Sequence, residues 1–254
     1  EDMVSDSHTT YHIRRGLPFI GEYYLRSGKL EPHSYVFLCL LDYVQIPCNP
    51  DAEPFQFVEN IGEGDVARIL LQLAMDEEGI HDVVVLHQAD PYLPGSVGYD
   101  ESLDRTQRDM GQFRSNVLVN AIATAPPVQY ITPASSQPGD RSIESFVVSD
   151  PRSQQGSPNT GWPLWTEATA KAGELFDVDL HFDGDMDRRH AVVALIDFQQ
   201  APIFVKGETH LPLFVETKEA TWQSMSIRLR APELPGNYEL RFVTLGEPFA
   251  VLDS

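Results

Sequence analysis

The chain has 254 residues, with 38 Asp and Glu against 18 Lys and Arg and a formal net charge of −20. A field of that sign repels phosphate, which argues against nucleic acid and anionic membrane surfaces as partners. No run of about 18 apolar residues is present, so membrane insertion through a helix is not expected.

The chain begins at Glu rather than Met, which leads us to expect a removed export signal or a boundary within a longer protein. Residues 1–15 read as an N-terminal extension. Thr10, His12 and Arg14 alternate with Tyr11 and Ile13, as in an edge strand that pairs with an open sheet. The expected partner is therefore protein, through self-association of this segment. His8 and His12 share one face of such a strand, but zinc needs three or four ligands, so they read as polar surface.

The first domain is expected over residues 16–130. An apolar run, Tyr35 to Leu41, leads into Asp42-Tyr43-Val44-Gln45-Ile46-Pro47. Cys39 lies in that run and Cys48 just past the proline. A bridge between them requires the chain to fold back sharply, so Cys39 is expected to be a buried, unreactive thiol. Residues 65–78 contain good helix formers, yet Ile69, Leu71 and Leu73 also alternate as the inward face of a strand. A strand follows at Gly79 to Leu86, then a long insertion at 93–112, a length that signals function or mobility, then a strand at Phe113 to Ile122.

Residues 131–164 are rich in Ser, Pro and Gly and read as a linker with little surface to bury. The second domain is expected over residues 165–254. Phe176 to Phe182 alternates with period two, Ala191 to Ile196 is a second apolar run, and Met225 to Arg230 alternates apolar and polar residues. A strand from Tyr238 to Leu245 and a last one from Phe249 to Leu252 close the chain.

These segments repeat. Leu41 to Pro47 reappears as Ile196-Asp197-Phe198-Gln199-Gln200-Ala201-Pro202, and Phe57-Val58-Glu59 as Phe214-Val215-Glu216. Gly79 to Leu86 lines up with Gly236 to Val243, and Gly21 to Tyr24 with Gly173 to Phe176, at an offset near 155 residues. We read an internal duplication. It resolves residues 65–78 as a strand, because their counterpart at Met225 to Arg230 is one. Residues common to both copies, Asp42 and Asp197, Gln45 and Gln200, Pro47 and Pro202, are expected to serve the fold by bonding backbone groups where a strand bends. The pattern of short strands punctuated by Pro and Gly resembles the immunoglobulin-like or fibronectin-like β-sandwich superfamily. The resemblance implies an all-β protein of two tandem sandwich domains.

Chemistry is sparse. Nucleophile elbows, phosphate-cradling loops, His-Glu-X-X-His and Cys-X-X-Cys motifs are missing, so no catalytic residue and no cofactor is expected. Asp183, Asp185 and Asp187 resemble the first half of a calcium loop. Arg188 and Ala194 stand where its glycine and bidentate Glu belong, which leaves a solvated acidic turn or a weak calcium site. Trp162, Trp165, Tyr92 and Tyr99 are the candidates for stacking on a carbohydrate; Trp165 equally serves to staple the linker. None of the six asparagines is a glycosylation acceptor. The expected function is a non-catalytic structural or adhesion protein, exported from a prokaryote to the cell surface or medium, such as a subunit of an extracellular fibre or surface assembly; a carbohydrate-binding module is the alternative and an enzyme the least favoured.

Overall fold

The computed structural model describes residues 10–28, 32–91, 111–135, 144–147, 170–182, 187–218 and 223–251. These residues form strands, turns and irregular segments and contain no helix. The chain divides into two compact units, residues 1–126 with 249–254, and residues 127–248.

In the first unit the strands are β1 (Thr10–Ile13), β2 (Phe19–Arg26), β3 (His33–Leu41), β4 (Val44–Ile46), β5 (Phe55–Ile61), β6 (Val66–Leu73), β7 (Gly79–Ala89) and β8 (Gly111–Val119). One sheet runs β1-β8-β7-β3-β4, with β5 also on β3; β2 and β6 form a two-stranded ribbon. Their inward residues share one core. Ile69, Leu71 and Leu73 from β6 pack with Phe37, Val85 and Val117 from the larger sheet. Alternation decides β6: its even positions face out and its odd positions are buried, so the strand expectation for residues 65–78 holds over Val66–Leu73. β7 is buried on both faces, around the apolar run Val83 to Leu86.

The second unit contains β9 (Ala134–Ser135), β10 (Glu144–Val147), β11 (Leu175–Phe182), β12 (Arg189–Ile196), β13 (Gln199–Ala201), β14 (Ile203–Val205), β15 (Glu208–His210), β16 (Leu213–Glu216), β17 (Gln223–Arg230) and β18 (Leu240–Gly246). One sheet is ordered β10-β11-β17-β14-β15, with β9 on β17. The other is β13-β12-β16, with β18 on β12. Val178, Leu180, Val192, Leu213, Ile227 and Leu229 fill the core. This is the Ig-like, all-β architecture expected from the sequence.

The two units share register. Tyr35 pairs with Val58 as His190 pairs with Val215, and Leu41 pairs with Val83 as Ile196 pairs with Leu240. Each apolar run ends in a two-residue hairpin with both central residues left-handed: φ is 51° and 69° at Asp42 and Tyr43, 46° and 66° at Asp197 and Phe198. Such turns match the twist of the strands they join. The expected role of the shared aspartates is also seen. Asp42 Oδ1 accepts the Asp82 N–H at 2.9 Å, and Asp197 Oδ1 accepts the Glu239 N–H at 2.8 Å. Gln45 Nε2 donates to the Pro54 carbonyl at 3.1 Å.

Five expectations are corrected. Gly173 answers Gly16, not Gly21: both have positive φ (72° and 76°) and both donate N–H to a carbonyl, of Pro232 and Met75, whereas Gly21 lies mid-strand opposite Leu71. Cys39 is not a free thiol but is bridged to Cys48, with Cα atoms 5.2 Å apart; the left-handed turn at Asp42-Tyr43 supplies the sharp reversal the bridge requires. The segment read as a linker contributes β9 and β10 to the second unit, because sheet pairing uses backbone groups, which a Ser- and Pro-rich composition does not report. Thr10–Ile13, read as part of an extension, pairs in parallel with β8 of its own chain, and its Tyr11 is exposed. Finally, Phe249 is not in a strand. It sits in a turn with φ of 60° and is buried in the first unit.

Candidate functional site

The densest polar cluster of the first unit is built on Asp82, which is fully buried in β7. The hairpin at Asp42-Tyr43 swings the Tyr43 phenol inward, where its hydroxyl donates to Asp82 Oδ2. From β8, Arg114 Nη2 approaches the same oxygen at 2.9 Å and Asn116 Nδ2 donates to Oδ1 at 2.5 Å. The Phe249 N–H completes the set at 2.7 Å. Phe249 also meets Tyr43 edge-on, with ring centroids 5.5 Å apart. Burial, reinforced by the Asp82 charge, pushes the Tyr43 phenol far above its ordinary range, so it stays protonated and donating. A carboxylate with four donors has its desolvation compensated. Tyr43, Asp82 and Asn116 have no exposed surface, and of the cluster's side chains that bond Asp82 only Arg114 is partly exposed. Chemically it is a lock that holds the returning residues 249–251.

Three histidines that look scattered in the sequence acquire partners. His81 places Nδ1 2.7 Å from Asp42 Oδ2 and Nε2 3.1 Å from the Glu77 carbonyl, so both nitrogens face acceptors. The hydrogen bond to Asp42 outweighs burial and raises the imidazole above its ordinary pKa. His33 Nδ1 contacts Asp90 Oδ2, while Asp90 Oδ1 accepts the Ser34 N–H at 3.2 Å. His87 Nδ1 lies 3.1 Å from the Tyr23 hydroxyl, whose phenol is pushed up to about 12 by burial. Opposite His87, position 111 must be glycine: a Cβ there would lie 2.2 Å from the ring. The pairing of β3, β7 and β8 and the packing of β2 against that sheet make these contacts, so spacing along the chain carries no signal of them.

Of the residues singled out from the sequence, Trp162, Trp165, Tyr92, Tyr99, Asp183 and Asp185 lie outside the described residues. Asp187 is in an exposed turn with φ of 55°, and its Oδ1 is 3.7 Å from Lys218 Nζ. That ammonium also lies 2.7 Å from Glu216 Oε2. Among the described residues no three His, Cys, Asp or Glu side chains converge in a way that could hold a metal ion.

The described surface presents a different kind of site. The outward face of the β2–β6 ribbon exposes Ile20 (66%), Tyr24 (57%), Val66 (52%) and Leu70 (42%). Among them Glu22 accepts from Arg68 Nη2 and from the Tyr24 hydroxyl, and these contacts hold its carboxyl below the usual range. Sequence reasoning sought exposed aromatics near the tryptophans and passed over this face; the signal was the apolar residues at the even positions of a strand whose odd positions are also apolar.

No protein-family model and no curated protein matches the chain. Similar solved structures include WR4, a C. elegans MSP family member, at 7% identity over 43% of this chain and 91% of that one, TM-score 0.26. CBD12 from CALX1.2 is 10% identical over 89% of this chain and 73% of that one, TM-score 0.26. Fet3p, a multicopper oxidase that functions in iron import, is 8% identical over 94% and 57%, TM-score 0.25. Likeness this low carries no weight for function, and the fold rests on the strand order and register given above.

Proposed function

We propose that the protein is a non-catalytic structural or adhesion module, exported to the cell surface or medium, whose two Ig-like units arose by duplication. The observation that carries this reading is the Asp82 cluster. Among the described residues of the first unit, the polar groups gathered on Asp82 surround a fully buried carboxylate, and their hydrogen bonds to it hold the fold. The Cys39–Cys48 bridge supports export, since such bonds persist in oxidising compartments. A net charge of −20 keeps a surface protein from non-specific association.

Fractionation of the native cells, with rapid alkylation of free thiols, tests the proposal. We expect the protein in the surface or extracellular fraction, with Cys39 and Cys48 inaccessible to alkylation until reduced. Recovery from the cytosol with both thiols alkylated would overturn it.

A further inference from the structure

The β2–β6 ribbon of the first unit and the β11–β17 pair of the second are built alike: Phe19 pairs with Leu73 where Phe176 pairs with Leu229. Their edges differ. β11 carries a further strand, β10, with Glu144–Val147 parallel to Asp179–Phe182. Among the described residues β2 has no neighbour but β6. The outward faces differ as well. The β11–β17 pair presents one apolar residue, Leu175, among Asp177, Asp179, Ser224, Ser226, Arg228 and Arg230, whereas the ribbon presents four, Ile20, Tyr24, Val66 and Leu70. An open edge beside exposed apolar side chains is a template for another strand, and a two-stranded ribbon gains most from one.

The sequence of β2, Phe-Ile-Gly-Glu-Tyr-Tyr-Leu-Arg, specifies what fits. Glu22, Tyr24 and Arg26 all lie on the outward face, with the two charges placed symmetrically about Tyr24. Arg26 is exposed and makes no ion pair among the described residues. An antiparallel copy of β2 centred on Tyr24 sets Glu22 opposite the partner's Arg26, twice by symmetry. It also sets Tyr24 against the partner's Tyr24, and Tyr23 against the partner's Leu25. Opposite charges directly across a strand pair are favourable and like charges are not, so an in-register parallel copy, which opposes Glu to Glu and Arg to Arg, is disfavoured. A two-fold interface of this kind is closed and does not propagate.

We propose that a second copy of this chain docks on the free edge of β2, antiparallel and centred on Tyr24, and joins the two ribbons into one four-stranded sheet. This inference does not depend on where the protein resides, so it and the function proposed above fail separately. The like net charge of the two copies opposes the contact at low salt, so the measurement belongs at physiological ionic strength, where the Debye length is about 8 Å.

Sedimentation equilibrium on the full chain tests the proposal. The native protein dimerises, and Glu22→Arg alone or Arg26→Glu alone raises the dissociation constant at least about tenfold, because each places like charges opposite one another twice. An equimolar mixture of the two single variants recovers the dimer, since every facing pair is again opposite in charge; misfolding of either variant cannot produce that recovery. Tyr24→Cys provides a second route. Cys39 and Cys48 are bonded to each other, so the new thiol is the one available, and it cross-links to its own copy on oxidation while Ile20→Cys does not. A native chain that stays monomeric, single variants that dimerise like the native chain, or a mixture that does not recover would each overturn the inference.

Discussion

The two hairpins at Asp42-Tyr43 and Asp197-Phe198 have the same backbone and the same aspartate bond to the neighbouring strand, but different surroundings. In the first unit the next side chain across is Asp82, buried among Tyr43, Arg114 and Asn116. In the second it is Glu239, partly exposed and paired with Arg241, and the tyrosine is replaced by Phe198. Beyond the hairpin the first unit carries a disulfide. The second has Ala194 and Ile203 at those places, both buried, and continues into β14 and β15. One scaffold is thus held by charge and a covalent bond in one unit and by additional strands in the other. The hydroxyl of Tyr43 occurs in the unit where a buried carboxylate needs a donor.

The sharpest break in that comparison is Asp82→Ala against Glu239→Ala. Removing Asp82 takes away the buried acceptor shared by Tyr43, Arg114, Asn116 and the Phe249 N–H, which should cost about 3–5 kcal/mol. Removing Glu239 from its partly exposed position should change stability by no more than about 1 kcal/mol. Urea denaturation combined with hydrogen exchange over β7 and β18 separates the units; equal losses would mean that Asp82 is not the lock described above.

Exchanging the covalent feature should have a smaller effect. Cys39→Ala with Cys48→Ile installs the second unit's pair and should cost about 2–3 kcal/mol, the chain entropy a bridge of this loop length removes from the unfolded state. The reciprocal change, Ala194→Cys with Ile203→Cys, should form a bridge and raise the stability of the second unit, read from thiol titration and urea midpoints. Two free thiols in a folded protein would show that the units differ in backbone there.

The smallest effect concerns pH. His81 has a raised pKa when folded because of Asp42, so their bond contributes fully below the ordinary imidazole value of about 6.5 and is lost as pH rises through the raised value. Asp42→Asn keeps an acceptor for the Asp82 N–H but removes the charge. It should lower stability by about 1 kcal/mol in mild acid and by progressively less at alkaline pH. Tyr238 follows Asn237 and precedes Glu239 where His81 precedes Asp82, so Asp197→Asn should show no such pH dependence in the neutral range. Melting temperatures across pH for both variants check this.

Much of the scaffold was legible because its causes are local. Period-two alternation marked β11 and β17 and, through the counterpart of β17, β6; the shared aspartates marked a bend at the end of each apolar run but not the hairpin that makes it. The Gly16 correspondence was missed for lack of flanking identity, since its signal is a backbone angle and not a side chain. β9 and β10 were missed because edge pairing depends on backbone groups that composition does not report. The partners of Asp82, His81, His33 and His87 were beyond reach, as was the closure of the disulfide.

The sequence by itself determined where most of the core strands form and which of their faces are apolar, because each is fixed by residues a few positions apart. Tertiary structure alone decided that Phe249 returns to the first unit, that Asp82 meets donors from Tyr43, Arg114 and Asn116, and that β2 pairs with β6 and with no other strand among the described residues. Those outcomes depend on strand register and chain crossing, which bring together groups separated by up to 167 residues and leave no periodic trace along the chain.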